Sequence, residues 1–593
     1  MVTTTRQNIP LGKILSRKKN YTAQDEPGPE KLKRVLNLFD LTLLASGGTL
    51  GAGVYILAGV VGKTHAGPAV VLSFVLAAAV SSFAGLCYAE FASRVPKSGS
   101  AYIYTYVAVG EFPAFIIGWN LILEHVIGVA SIGKATSNYF DFLLGYPQKN
   151  FMVEHFPIHI SFLGEYPDVA SLVFILLVTG VVAWGVREST AINNIFTTLN
   201  FLTIVSVVVT GWFYVDIYNW NIPKSAIPAG VNGGEGGFLP FGWSGMIAGA
   251  AKCLYGFIGF DTITTIGDET KNPKRTIPLA IVISLACITT VYCAVAVVMT
   301  MMWPYYDQDP FAPLPAIYEH LGVPYIQYMV TVGAISALAT TLIGAIFPLP
   351  RILYAMASDG LLFKVLSTVN SYTKTPLVST MLCGTVSGLM SSIFNLDQLI
   401  AMASIGTFQA YTVVCICVLL LRYETDNKTT EAVETSKKKE CSKWYTVFNE
   451  KIPNRYTQSL SVSLTFVYVG AATVFSICLV NLQYCESEII CCALIFLCVV
   501  SAAFIIVPMV MLYRLPQMTD NIPFKVPFVP VIPCVSILLN IYMMMALDYI
   551  TWIRFLVWIV LGLVIYFFYG INNSLEAKRR KPHTDQQLQT SLN

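Results

Sequence analysis

Two glycine clusters and a few ionisable residues stand inside stretches that are otherwise apolar. Gly51-Ala52-Gly53 interrupts ASGGTLGAGVYILAG, and Gly256 and Gly259 flank Phe257 and Ile258 in KCLYGFIGFDTITT. A helix that unwinds in lipid must line a protein cavity, because hydrocarbon cannot hydrogen-bond the freed backbone. Freed N–H groups near Ala52, Gly53 and Val54 would carry partial positive charge and suit a carboxylate. Freed carbonyls near Tyr255 and Phe257 would be partly negative and suit an ammonium. One site that holds a carboxylate beside an amine is a receptor for an α-amino acid. Close helix packing is the plainer use of either cluster alone. Their matched positions favour the binding reading.

An ionisable side chain deep in an apolar span is costly unless solvated or paired. Glu124 lies 13 residues after Glu111, roughly 20 Å along a helix, level with the glycine clusters. An acid there could face the cationic end of a bound arginine or lysine; a hydrogen bond to a neighbouring helix is the structural alternative. Asp261 follows the second cluster and could cap exposed N–H groups or meet the substrate. Asn200, in TTLNFLT, has an interhelical hydrogen bond as its plain use. Glu90, with Arg94 and Lys97 close behind, reads as an inner salt-bridge network. Lys134 falls in an outer vestibule or snorkels to headgroups. No metal ligand set, phosphate loop or nucleophile arrangement is present, so no enzyme, cofactor or metal site is expected.

The elements that must position these residues follow from composition. The chain has 593 residues, 55% hydrophobic and 12% charged, with a mean hydropathy of +0.63. A chain this apolar cannot cover itself with charge, and runs of about 20 apolar residues recur. That excludes a cytosolic enzyme and a secreted disulfide scaffold. A net charge of only +3 gives no field for nucleic acid. Most of the 14 cysteines lie in apolar runs and read as packing. The expectation is an all-α polytopic membrane protein of 14 helices: 35–62, 69–91, 109–144, 169–186, 193–214, 242–266, 277–303, 325–355, 376–394, 398–422, 459–480, 487–512, 530–549 and 551–570. The hairpins at 395–397 and 550 are short enough that either pair could merge. Prolines 348 and 350 should kink the eighth helix.

With the amino terminus inside, 31 of the 37 Lys and Arg fall at the cytoplasmic side, as the positive-inside rule requires. Both termini are then cytoplasmic, with an inner segment 1–34, an inner linker 423–458 and a tail 571–593. Lys578 to Lys581 would rest on anionic headgroups. Helices one to five (35–214) and six to ten (242–422) are each five spans, so the second set sits upside down. This is an inverted-topology repeat, common in secondary transporters, followed by four peripheral helices (459–570).

At these residues the chain resembles the animal cationic amino acid transporters of the amino acid–polyamine–organocation superfamily. The similar segments include GGTLGAGVYILAG, EFASRVPKSGSAYIYTY, GWNLILEHVIG, YGFIGFDTITTIGDETKNPKRTIP, FPLPRILYAMASDGLLF and FKVPFVPVIPCVSILLNIY with TWIRF. The resemblance implies a LeuT-like 5+5 core with four extra helices. It implies facilitated, potential-driven uniport of arginine, lysine and ornithine, with histidine as a weaker candidate. It also implies carboxylate contacts at Gly51, Ala52 and Gly53, and amine-side contacts at Tyr255, Phe257, Ile258 and Asp261. Asn200 falls where some bacterial relatives have a lysine associated with proton coupling, so its neutral amide favours uncoupled transport. Glu124 departs from vertebrate members, which have a small hydroxyl residue there; bacterial relatives have the acid. Segment 145–168 lacks the cysteine that a heavy-chain-linked exchanger would use, so no disulfide-linked partner is expected. Membrane lipids and the small-molecule substrate are the partners. The cell membrane is the expected address, with an internal, lysosomal membrane as the alternative. The competing functions are a proton-coupled symporter or exchanger of neutral amino acids, and an amino-acid receptor with little flux.

Overall fold

A computed structural model describes residues 17–19, 34–425 and 453–577, less 96, 98, 160–162, 229, 310–311, 483–484, 486, 519–521 and 548. Most of the expected inner linker, and Lys578 to Lys581, lie outside the described residues. Those described are helical throughout, with three isolated bridges and no strand. In chain order the helices of eight or more residues are α1 (Leu38–Ala52), α2 (Val70–Arg94), α3 (Ala101–Ala108), α4 (Glu111–Leu143), α5 (Pro147–His155), α6 (Val169–Trp184), α7 (Val186–Trp212), α8 (Gly242–Cys253) and α9 (Pro273–Met302). They continue with α10 (Pro313–His320), α11 (Pro324–Ile346), α12 (Leu349–Ser358), α13 (Leu377–Ile393), α14 (Leu396–Arg422), α15 (Arg455–Leu482), α16 (Glu488–Arg514), α17 (Val531–Met545) and α18 (Tyr549–Ile565).

Ten helical runs among the described residues are long and apolar enough to cross a membrane, and α6, α13 and α17 are shorter apolar helices. One of the ten, Leu38–Arg94, turns at Gly67, whose φ of +58° suits glycine, and so holds both α1 and α2. The residues that cannot be buried sort themselves by environment. On α16, Ile489, Phe496, Val499 and Phe504 all point outward, a face that only lipid can cover. This is a polytopic membrane protein.

Helix boundaries follow local chemistry. Asp168 starts α6 by accepting from Ser171 N–H at 3.0 Å. The hairpin at 394–395 is a real turn, because Phe394 and Asn395 take extended dihedrals between α13 and α14. Pro348 and Pro350 separate α11 from α12, as proline's missing donor requires. Three short helices, α3, α5 and α10, fall in segments read from the sequence as connections; none is long enough to announce itself by periodicity. Lys134 neither snorkels nor opens to a vestibule. Its side chain is buried and its Nζ donates to Phe394 O at 2.8 Å, satisfying a carbonyl at the end of α13.

The most enclosed helix is α4, which packs on α14, α11, α13, α3 and α6. Around it α1 rests on α11, α9 and α7, and α2 on α9. Residues of α1, α4, α11 and α14 come together with the segment after α8.

Candidate functional site

The two glycine clusters have different fates. In the first, α1 does not unwind: Gly53–Leu57 widens into one π turn and Ala58–Val61 resumes the helix. Gly53 keeps ordinary helical dihedrals (φ −62°, ψ −47°), and its N–H bonds to Leu50 O. The expected free donor at Gly53 is thus occupied in this conformation. The carbonyls disturbed by the π turn find side-chain donors instead. Tyr139 of α4 donates to Tyr55 O at 2.8 Å, and Tyr292 Oη of α9 lies 2.8 Å from Thr49 O.

The second cluster is a true break. After α8 a tighter turn runs over Leu254–Phe257, Ile258 is extended (φ −66°, ψ 131°) and Gly259 has φ +128°. Helix resumes only at Thr262–Thr265, with Asp261 at its N-cap position. Tyr292 Oη also lies 2.5 Å from Gly256 O, so one hydroxyl ties the break to α1.

Between these segments lies a cavity lined by residues of both. Of the residues singled out from sequence, Gly53, Glu124, Tyr255, Gly256, Ile258, Gly259 and Asp261 line it. Gly48, Thr49, His125 and Thr341 line it as well; the sequence reading missed them. His125 had a signal, a second ionisable group beside Glu124 in an apolar span, and Thr341 had none.

The other expected contacts stand behind this lining. Gly51 is packed on α11, where an added Cβ would meet Thr341 Oγ1 at 2.0 Å. Ala52 ends α1. Val54 is buried, and the Phe257 ring meets Tyr292 edge-on at 5.1 Å. Asn200 is buried on α7 and accepts from Tyr55 Oη at 2.9 Å, so its amide holds the π turn rather than touching the cavity.

Glu124 has the chemistry of a ligand group. It is buried, its Oε1 accepts from Thr407 Oγ1 at 2.6 Å, and its Oε2 has no hydrogen-bond partner among the described residues. Gly406 permits this approach, since a Cβ there would lie 3.1 Å from Glu124 Cβ. A buried carboxylate with an open oxygen is strongly disfavoured without a cation or donor to complete it.

Glu90 sits far from the cavity lining. Its carboxylate accepts from Arg422 Nε at 2.8 Å and Nη2 at 2.7 Å, from Arg94, and from Val526 N–H at 2.7 Å. Lys97 pairs instead with Asp268. Arg422 was invisible from sequence because it is 332 residues away. The network binds the ends of α2 and α14 to the segment before α17.

With this geometry in hand, sequence comparison decides the family. Residues 36–484 match the amino acid permease model and 524–574 match the model of its C-terminus. This chain is an amino acid permease. It is 36% identical to cationic amino acid transporter 4 of Mus musculus over 92% of the chain and 89% of that relative. The human cationic amino acid transporter 4 is also 36% identical, over 94% and 90%. The mitochondrial cationic amino acid transporter 3 of Arabidopsis thaliana is 33% identical over 94% and 93%. The permease therefore belongs with the cationic amino acid transporters of its superfamily. It is a transporter rather than an enzyme.

Proposed function

We propose that this permease carries cationic L-amino acids, arginine, lysine and ornithine, by potential-driven uniport with alternating access. Supporting this reading above all is Glu124: a buried acid with one open oxygen, in a cavity between two glycine-rich helical segments. The α-amino and α-carboxyl groups would lie against the backbone of the α8 break and the α1 π turn, and the cationic side chain would reach Glu124. Exposure of Gly53 N–H to a carboxylate would then accompany rearrangement of the π turn. Names of the relatives support the substrate class, and vacuolar and mitochondrial names among them leave the cell membrane as our own assignment. We read 14 crossings with both termini cytoplasmic, counting α1 and α2 separately and adding the three short apolar helices. The 5+5 inverted repeat is likewise our reading, supported by matched glycine clusters and by the odd number of spans in each half.

The neutral Asn200, engaged with Tyr55, favours uncoupled transport. A monocation is then drawn inward by about 2.3 kcal/mol per 100 mV, nearly fifty-fold accumulation. The test is uptake of labelled arginine and leucine into proteoliposomes, with membrane potential and pH gradient imposed separately. Uniport requires arginine uptake to rise with a negative interior at fixed pH; uptake indifferent to voltage refutes it. Glu124→Gln should weaken arginine uptake by about ten-fold more than leucine uptake, and equal losses would remove Glu124 from the site.

A further inference from the structure

Beside Glu124 the cavity holds a second titratable group that the uniport reading leaves without a task. His125 is buried and lines the cavity, and its Nδ1 lies 2.8 Å from Leu121 O. A carbonyl only accepts, so Nδ1 carries the hydrogen in the neutral ring. Nε2 is then the nitrogen left for a ligand, with a lone pair at neutral pH and an N–H when protonated. Across the cavity stands Asp261, whose charge interacts with the imidazole.

The surrounding elements add few compensating charges. On its own helix His125 has Glu124; from the α8 segment come Tyr255 and Asp261. Tyr88 of α2 and Tyr411 of α14, rings 5.5 Å apart, stand near both acids. Thr407 of α14 and Thr341 of α11 are neutral. Two mobile cations in so enclosed a space repel each other, while none leaves the acids uncompensated. One added positive charge lies between these two extremes.

We propose that His125 Nε2 is a proton site within the binding cavity, and that its proton replaces the substrate's cationic side chain when a neutral amino acid is carried. The inference rests on the transport reading above and extends it. With His125 neutral the cavity takes arginine or lysine. With His125 protonated it takes a neutral amino acid together with one proton, and either mode moves a single positive charge.

The experiment uses the full chain in proteoliposomes, with voltage clamped and pH equal on both sides, stepped from about 7.5 down to about 5. Arginine uptake should fall about ten-fold at the lower pH, and leucine uptake should rise by a similar factor. A trapped pH dye should register one proton per leucine and none per arginine, a measurement that needs no variant. His125→Gln, which cannot protonate, should abolish the pH dependence of the arginine-to-leucine ratio whatever rates it retains. Leucine entry without protons, a ratio that ignores pH in the unaltered protein, or a His125→Gln ratio that still follows pH would each overturn the proposal. Absence of voltage-driven arginine uptake at pH 7.5 would instead defeat the uniport reading, while proton-linked leucine entry would still support His125.

Discussion

The glycine cluster of α1 and the one after α8 pack against each other, yet they use the missing side chain for different ends. In α1 the glycines buy contact. A Cβ at Gly47 would lie 2.3 Å from Thr197 Oγ1, one at Gly51 2.0 Å from Thr341 Oγ1, and one at Gly53 1.9 Å from Tyr292 Oη. The backbone stays helical, so close approach to α7, α11 and α9 is what the small residue permits. At Gly259 the requirement is conformational, because φ of +128° is a region other residues rarely enter. One sequence pattern therefore encodes a close-packed helix on one side of the cavity and a broken ladder on the other.

Paired substitutions separate these roles. The largest effect is expected for Gly259→Ala, which should cut transport at least about ten-fold through backbone strain alone. Adding Thr49→Ala removes the 2.8 Å clash with Thr49 Oγ1 but should not restore activity. Uptake recovered by that second change would show that Gly259 is also a packing glycine. Gly47→Ala should destabilise by about 2 kcal/mol through overpacking, read as a lower melting temperature in detergent. Here Thr197→Ala should restore most of the loss, since the threonine hydroxyl is the offending group. Smaller still are the tyrosines that bind freed carbonyls. Tyr292 has one hydrogen to share between Thr49 O and Gly256 O, so Tyr292→Phe and Tyr139→Phe should each cost about 1 kcal/mol. Unchanged stability in Tyr292→Phe would mean that its hydroxyl holds neither segment.

A similar contrast separates the two buried acids. Glu90 has its lone pairs filled by two arginines and a backbone N–H, and so acts as a rivet at the ends of α2 and α14. Glu124 is left with one oxygen open beside the cavity. Both are carboxylates in apolar helices, and only their surroundings divide a satisfied network from an open oxygen.

Composition and the spacing of apolar runs were enough to establish a helical membrane protein, since 55% hydrophobic residues leave lipid as the only cover. Family resemblance was legible in local motifs around Gly51, Gly256 and Gly259, and depth counting placed Glu124 beside the cavity because a helix advances by a fixed rise per residue. What no sequence pattern carried was the partner of each group. Whether a glycine serves contact or dihedral freedom depends on the atom opposite it, and those atoms arrive from helices hundreds of residues away: Tyr292 at Gly53, Thr341 at Gly51, Thr407 at Glu124, Arg422 at Glu90. Tertiary packing alone kept α1 helical while the chain after α8 opened, because Tyr139 and Tyr292 supplied the hydrogen bonds that a widened turn requires and Gly259 accepted a backbone angle that nothing at Gly53 demanded.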